Sequence, residues 1–106
     1  MNSKVIQIFV SVGDSEQAEN IATALLEKRL VACAQFLPPM QSFYRWQGKI
    51  RSGIEHLLIL KTQKHHFSAV ENVIKQLHSY DVPEIVALDI IDGADDYLTW
   101  IKDETI

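Results

Sequence analysis

Apolar positions along this chain switch between a two-residue and a helical period, and the switches mark its elements. From Val5 to Val12, Ile6, Ile8, Val10 and Val12 point one way, while Gln7 and Ser11 point the other with Val5 and Phe9. That alternation predicts a half-buried strand. Gly13 ends it. Asp14 is placed to cap a helix, and Gln17 three residues on completes a capping-box spacing. Ala18, Ile21, Ala22, Leu25, Leu26 and Leu30 form one helical stripe. Glu16 and Glu19 come early and Lys28-Arg29 late, an order that suits the helix dipole.

Val31 to Leu37 reads as a short second strand, interrupted by Pro38-Pro39. Proline donates nothing to a ladder, so the interruption is a bulge, a bend or an edge position. Extended structure resumes in Ser42-Phe43-Tyr44-Arg45-Trp46-Gln47-Gly48-Lys49-Ile50. Ser42, Tyr44 and Trp46 share one face there, Phe43 and Arg45 the other, so each face carries a large aromatic. Gly48-Lys49, or the longer link to Gly53, turns the chain into a third strand over Glu55–Thr62, and the two runs pair as a hairpin. Phe67, Val70, Val73, Ile74 and Leu77 predict a second helix that ends near His78-Ser79-Tyr80. Pro83 forces Val82 out of the helical region. Glu84–Asp92 then forms a fourth strand, and Asp95-Asp96 open a last helix carrying Tyr97, Leu98, Trp100 and Ile101.

The order strand–helix–strand–strand–helix–strand plus a terminal helix predicts one α+β domain over residues 1–106. Right-handed crossovers put both long helices on one face of a four-stranded antiparallel sheet, the ferredoxin-like arrangement. The other face is left bare, yet Leu57–Leu60 and Ile85–Leu88 are apolar at every position. In so small a domain another subunit is the simplest cover, so an oligomer is expected.

Composition narrows the function. The 106 residues carry a net charge of −4 and scattered basic residues, which gives no footprint for nucleic acid or an anionic membrane. No run approaches a membrane span, and the N-terminus enters a strand without a signal-peptide core. One cysteine, Cys33, excludes an internal disulfide, and the cytoplasm is the expected compartment. No nucleophile elbow, phosphate loop, CxxC or HExxH is present, so no enzyme is expected.

Several residues remain as candidate chemistry. Cys33 reads first as a buried small hydrophobe and second as a soft ligand for Cu(I). His78 reads either as a cap on the second helix or as a metal ligand partnered by Glu84 or by another subunit. His65 and His66 are neighbours that cannot chelate one ion, and are expected on the surface; His56 has no obvious partner. Asp92, Asp95 and Asp96 fit an N-cap with first-turn acids better than a calcium loop. Lys61 and Glu84 stand at strand ends, as an intersubunit ion pair or as the wall of a polar pocket.

Leu30-Val31-Ala32-Cys33-Ala34, Ser42-x-Tyr44-x-Trp46-x-Gly48-Lys49, Glu55…Leu60-Lys61-Thr62, Tyr80-x-x-Pro83-Glu84-Ile85 and Tyr97-Leu98-x-Trp100 together resemble the CutA family, the divalent-cation tolerance proteins, over essentially the whole chain. The resemblance implies a ferredoxin-like fold and a tight homotrimer, built like the PII signalling proteins. It also implies a non-enzymatic link to tolerance of copper and other divalent metals. It places Tyr44, Trp46, Lys61, Tyr80 and Glu84 at a cleft between subunits, with Trp100 as a further packing residue there. Some bacterial members have a cysteine late in the first strand and a His-His pair before Pro-Tyr as proposed copper ligands. This chain has Val10 at the first position and Leu77-His78-Ser79 at the second, so only His78 carries over. Two functions follow. One is metal or small-effector binding at intersubunit clefts, with His78, Glu84 and Cys33 as the metal candidates. The other is a PII-like scaffold for a protein partner, in which Trp46, Tyr80 and Trp100 serve docking.

Overall fold

A computed structural model describes residues 4–106; the reading of the N-terminus at Met1–Ser3 lies outside the described residues. Five strands and three helices follow in order: β1 (Val5–Val12), α1 (Ser15–Glu27), β2 (Cys33–Phe36), β3 (Met40–Trp46), β4 (Lys49–Gln63), α2 (Phe67–Leu77), β5 (Ile85–Asp89) and α3 (Asp95–Glu104). The sheet order is β2-β4-β1-β5, with β3 also on β4, and every pairing is antiparallel. With β2 and β3 taken as one interrupted strand, this is the ferredoxin-like topology.

β4 is the spine. Its second half pairs with β2 from Cys33↔Lys61 to Phe36↔Leu58, and its first half pairs with β3 from Met40↔Glu55 to Trp46↔Lys49. The register slips by one residue between the two stretches. Pro38-Pro39 therefore sits in a bulge, where the missing N–H groups cost no ladder bond. The turn is Gln47-Gly48, one residue earlier than Gly48-Lys49, because both residues have positive φ (53° and 78°) and match the twist of a two-residue hairpin. No second link forms at Gly53, which lies within the strand. The ends of the other strands also draw in: β2 begins at Cys33 and β5 runs only from Ile85 to Asp89.

Ile6, Ile8, Val10 and Val12 of β1, with Leu58 and Leu60 of β4, bury against Ala18, Ile21 and Leu25 of α1 and Val70 and Ile74 of α2. Each such side chain stabilises the fold by about 1.5–3 kcal/mol on burial. Leu26 and Leu77, expected on the stripes, are exposed because each lies at its helix's rim. The Asp14 carboxylate accepts from the Gln17 N–H at 2.8 Å, but the Gln17 side-chain oxygen has no partner, so half of the capping box forms.

α1 ends before Lys28-Arg29, not through them. Arg29 takes a left-handed φ of 58°, and the Leu30 N–H reaches the Leu25 carbonyl while the Arg29 N–H reaches that of Leu26. That is a Schellman close with arginine where glycine is usual. The Arg29 side chain then donates to the Glu104 and Asp103 carbonyls, at 3.2 and 2.9 Å, and caps the end of α3. α3 starts from Ala94, not from an aspartate N-cap; Asp95 and Asp96 occupy its first turn.

The face of the sheet turned away from α1 and α2, the helix-free face in that sense, carries the odd positions of β1 and β4 and the even ones of β5, and α3 meets only its Cys33–Gln63 end. Val86 and Leu88 are 48% and 54% exposed on it.

Candidate functional site

Two groups of residues stand on this helix-free face. The first gathers around Ser11 at the end of β1. The Ser11 hydroxyl donates to Glu84 Oε1 at 2.7 Å, and the Ser11 carbonyl accepts from His78 Nε2 at 2.7 Å. His78 Nδ1 accepts from the Tyr80 N–H at 3.1 Å. These partners fix the Nε2–H tautomer and leave His78 no free lone pair. The residue does end α2, as the cap reading expects, but its ring reaches across to β1 instead of the helix carbonyls. A ligand role for His78 would require breaking the Tyr80 bond.

Tyr80 lies over His78 with ring centroids 4.7 Å apart and donates its hydroxyl to Glu55 Oε2 at 2.8 Å. Burial pushes the Tyr80 hydroxyl up to about 12, with the Glu55 hydrogen bond and charge adding to the effect. The phenol stays a donor across the physiological range. Beside it opens a cavity of about 560 Å³, lined by Tyr44 and Trp46 of β3, Glu55 of β4, and Tyr80, Asp81 and Glu84 from the loop into β5. Of the residues expected at a cleft, Tyr44, Trp46, Tyr80 and Glu84 thus come together.

The second group lies near the opposite end of the face. Gln7 of β1 pairs with Lys61, which pairs with Cys33. Gln7 is four residues from Ser11, about 13 Å along the strand. Lys61 donates to Gln35 Oε1 at 2.8 Å, so it forms no ion pair with Glu84 within the chain. Cys33 is half-buried beside Tyr97, whose hydroxyl is pushed upward by burial and by that thiol. Tyr97 stacks on Trp100 at 5.6 Å. Cys33 and Lys61 are therefore neighbours, Trp100 joins them through Tyr97, and none of the three lines the Glu84 cavity. Within one chain, Cys33, His78 and Glu84 do not converge, and no three acidic, histidine or cysteine side chains among the described residues do so closely enough to hold a metal.

Two acidic residues of the cavity, Glu55 and Asp81, were missed in the sequence. Glu55 shares a face with Leu57 and Ile59, and a carboxylate on an otherwise apolar face is the signal that marks it. Asp81 carries no such signal. The expectation that both histidines of the 65–66 pair are solvated fails for His66. It is 6% exposed, and its Nε2 has no partner. A short 3-10 turn before α2 swings its ring inward.

The sequence profile of the CutA1 divalent ion tolerance protein family matches residues 6–104. This chain belongs to that family. The divalent-cation tolerance protein CutA of Thermus thermophilus is 44% identical over 98 residues, spanning 92% of this chain and 95% of the relative. The Arabidopsis thaliana protein CutA, described as chloroplastic, is 37% identical, and this chain spans 55% of its length. Among solved structures, CutA from Xylella fastidiosa superposes with a TM-score of 0.95 at 40% identity, covering 98% of this chain and all of that one. CutA from Archaeoglobus fulgidus, described as periplasmic, gives 0.92 at 38% identity, covering 94% of this chain and 97% of that one. CutA1-family membership thus supports a role in divalent-cation tolerance in general, and relatives occur in more than one compartment. No helix among the described residues is long and apolar enough to cross a membrane.

Proposed function

We propose that this CutA1-family chain is a non-enzymatic homotrimer that binds divalent cations, copper among them, or a small effector in clefts between its copies. The observation that carries the reading is the helix-free face. Val86 and Leu88 lie exposed on its edge strand β5, and a carboxylate-lined cavity opens at its end. An apolar sheet face of this kind is covered by another copy in a stable assembly. Because no three-ligand cluster forms among the described residues of one chain, part of any metal's ligand set comes from a neighbour. Glu84 is the foremost donor, while Cys33 is the candidate from the far end of a second copy, where Lys61 would reach the cleft as a charge partner for Glu84. The cytoplasm is the proposed compartment, in keeping with a free thiol at Cys33.

Copper titration of the reduced protein against a competing chelator tests this reading, with Glu84→Gln, His78→Ala and Cys33→Ser alongside. One site per chain or per trimer, weakened by Glu84→Gln, is expected. Weak binding indifferent to all three changes would remove the metal reading.

One feature favours the second reading, a scaffold for a protein partner. The outer face of the β3–β4 hairpin exposes Phe43, Ile50 and Ile54 by 73%, 74% and 57%. A stoichiometric partner recovered independently of metal, and lost in Phe43→Ser, would support it.

A further inference from the structure

We infer that the segment after α3, Thr105–Ile106, is a latch that the neutral His66 ring holds shut and that protonation of this ring opens. The device lies away from the Glu84 cavity and does not depend on what binds there.

The latch is made of polar bonds. Gln63 Nε2 donates to Thr105 Oγ1 at 2.7 Å, and Thr105 Oγ1 donates in turn to the Ile101 carbonyl at 3.0 Å. The Ile106 N–H donates to the Arg29 carbonyl at 3.0 Å, while the Arg29 guanidinium holds the carbonyls of Asp103 and Glu104. Thr105 is buried, but the Ile106 side chain is 65% exposed. Little apolar surface therefore fixes this segment, and it can open without the core. Ile101, fully buried one turn earlier, marks where the opening stops.

His66 is the trigger. Its 3-10 turn follows Gln63 directly, and its ring lies against the Ile106 backbone. The ring is 6% exposed, and Nε2 is sealed from solvent without a partner. One chain already encloses that atom, so no neighbouring copy can reach it. As a bare lone pair Nε2 costs little. As the N–H of an imidazolium it is a buried donor with no acceptor. The charged groups around it give no relief. Burial first, and then the charge of His65 stacked 4.1 Å away, disfavours the proton. Lys64 of the same turn is paired with Asp89, and Lys4 before β1 meets that turn through its carbonyl. Arg29 at the end of α1 is a further cation, and Asp103 and Glu104 of α3 turn their backbone carbonyls to it. A protonated ring is satisfied by swinging out to water, which frees Ile106.

Native-state hydrogen exchange of the intact protein in its native assembly, at pH 7.5 and pH 5.5, tests the latch once each rate is corrected for the intrinsic pH dependence of exchange. Protection of the Ile106 amide is expected to fall about tenfold between the two, because a proton taken up only on opening shifts that equilibrium by up to about tenfold per pH unit below about 6.5. The Ile8 amide in the middle of the sheet should stay at least about a hundredfold better protected than Ile106 at both pH values. His66→Leu keeps the site apolar and cannot titrate, so its Ile106 amide should be equally protected at both pH values. His66→Gln should behave alike, and it carries the test if the leucine variant does not fold. Protection at Ile106 that ignores pH in the parent overturns the inference. So does an acid loss that persists in both variants. Equal protection of Ile106 and Ile8 would mean that only whole-chain unfolding exposes the segment, and would overturn it too.

Discussion

The Tyr80 hydroxyl donates to Glu55 across 2.8 Å, joining the loop before β5 to the middle of β4. The two residues are 25 apart in sequence, and their bond closes one side of the acidic cavity. Burial and the adjacent carboxylate hold the Tyr80 proton to about 12. Sign follows from this: a tyrosine raised above its ordinary value of about 10 adds stability that is complete below pH 10 and is lost as pH climbs through 12. Ultraviolet titration of the phenols should show a late-titrating group that disappears in Tyr80→Phe and moves earlier in Glu55→Gln. An unchanged titration in Glu55→Gln would mean the bond does not form in solution.

His66 predicts behaviour on the acid side. Its ring is buried, and burial first, then the His65 charge, lowers its proton affinity, against a smaller opposing bond to the Ile106 backbone. The unfolded chain therefore takes up a proton at His66 before the folded one does. Stability should be complete above about pH 6.5 and fall as pH drops from there toward the lowered folded value. Denaturant unfolding at pH 7 and pH 5.5 should show a smaller acid loss in His66→Gln than in the parent; equal losses would reject the assignment.

Arg29 couples two helix ends. Its left-handed backbone costs roughly 1 kcal/mol relative to glycine, while its two carbonyl bonds to α3 each return about 0.5–1.5 kcal/mol. Arg29→Ala keeps the backbone cost and loses the bonds, so a loss of about 1–3 kcal/mol per chain is expected by chemical denaturation. Arg29→Gly relieves the backbone and should be less damaged than Arg29→Ala. The reverse order would show that the side chain's bonds are not what matters.

Much of this fold was legible because its core follows simple periods. The alternation in β1 and the stripes of α1 and α2 are set by which side chains leave water, and that information is local. The proline break and the family motifs located the aromatic hairpin and four of the cavity's residues. What stayed hidden depends on contacts distant in sequence. Arg29 ends α1 because its side chain finds carbonyls 74 and 75 residues away. His66 turns inward through a 3-10 turn that no periodicity announces. Lys61 lies near the end of β4 and Glu84 just before β5, but at opposite ends of the face, and only strand register separates them. Glu55 was passed over because its partner, Tyr80, comes from a loop.

Leu88 offers a direct probe of the helix-free face. It is 54% exposed in the single chain, so Leu88→Glu should change the chain's own fold little, by about 0.5 kcal/mol or less. In a trimer packed on that face it would bury a charge at every seam. Size-exclusion chromatography should show Leu88→Glu eluting as smaller species with far-UV circular dichroism retained. An assembly that tolerates the charge would place the interface elsewhere.

Sedimentation equilibrium of the unmodified protein at micromolar concentration tests the central claim most directly. A mass three times the 12.1 kDa of one chain is predicted, since the helix-free face and the clefts both require neighbours. A single species at the mass of one chain would contradict the account and leave the acidic cavity as a site within the monomer.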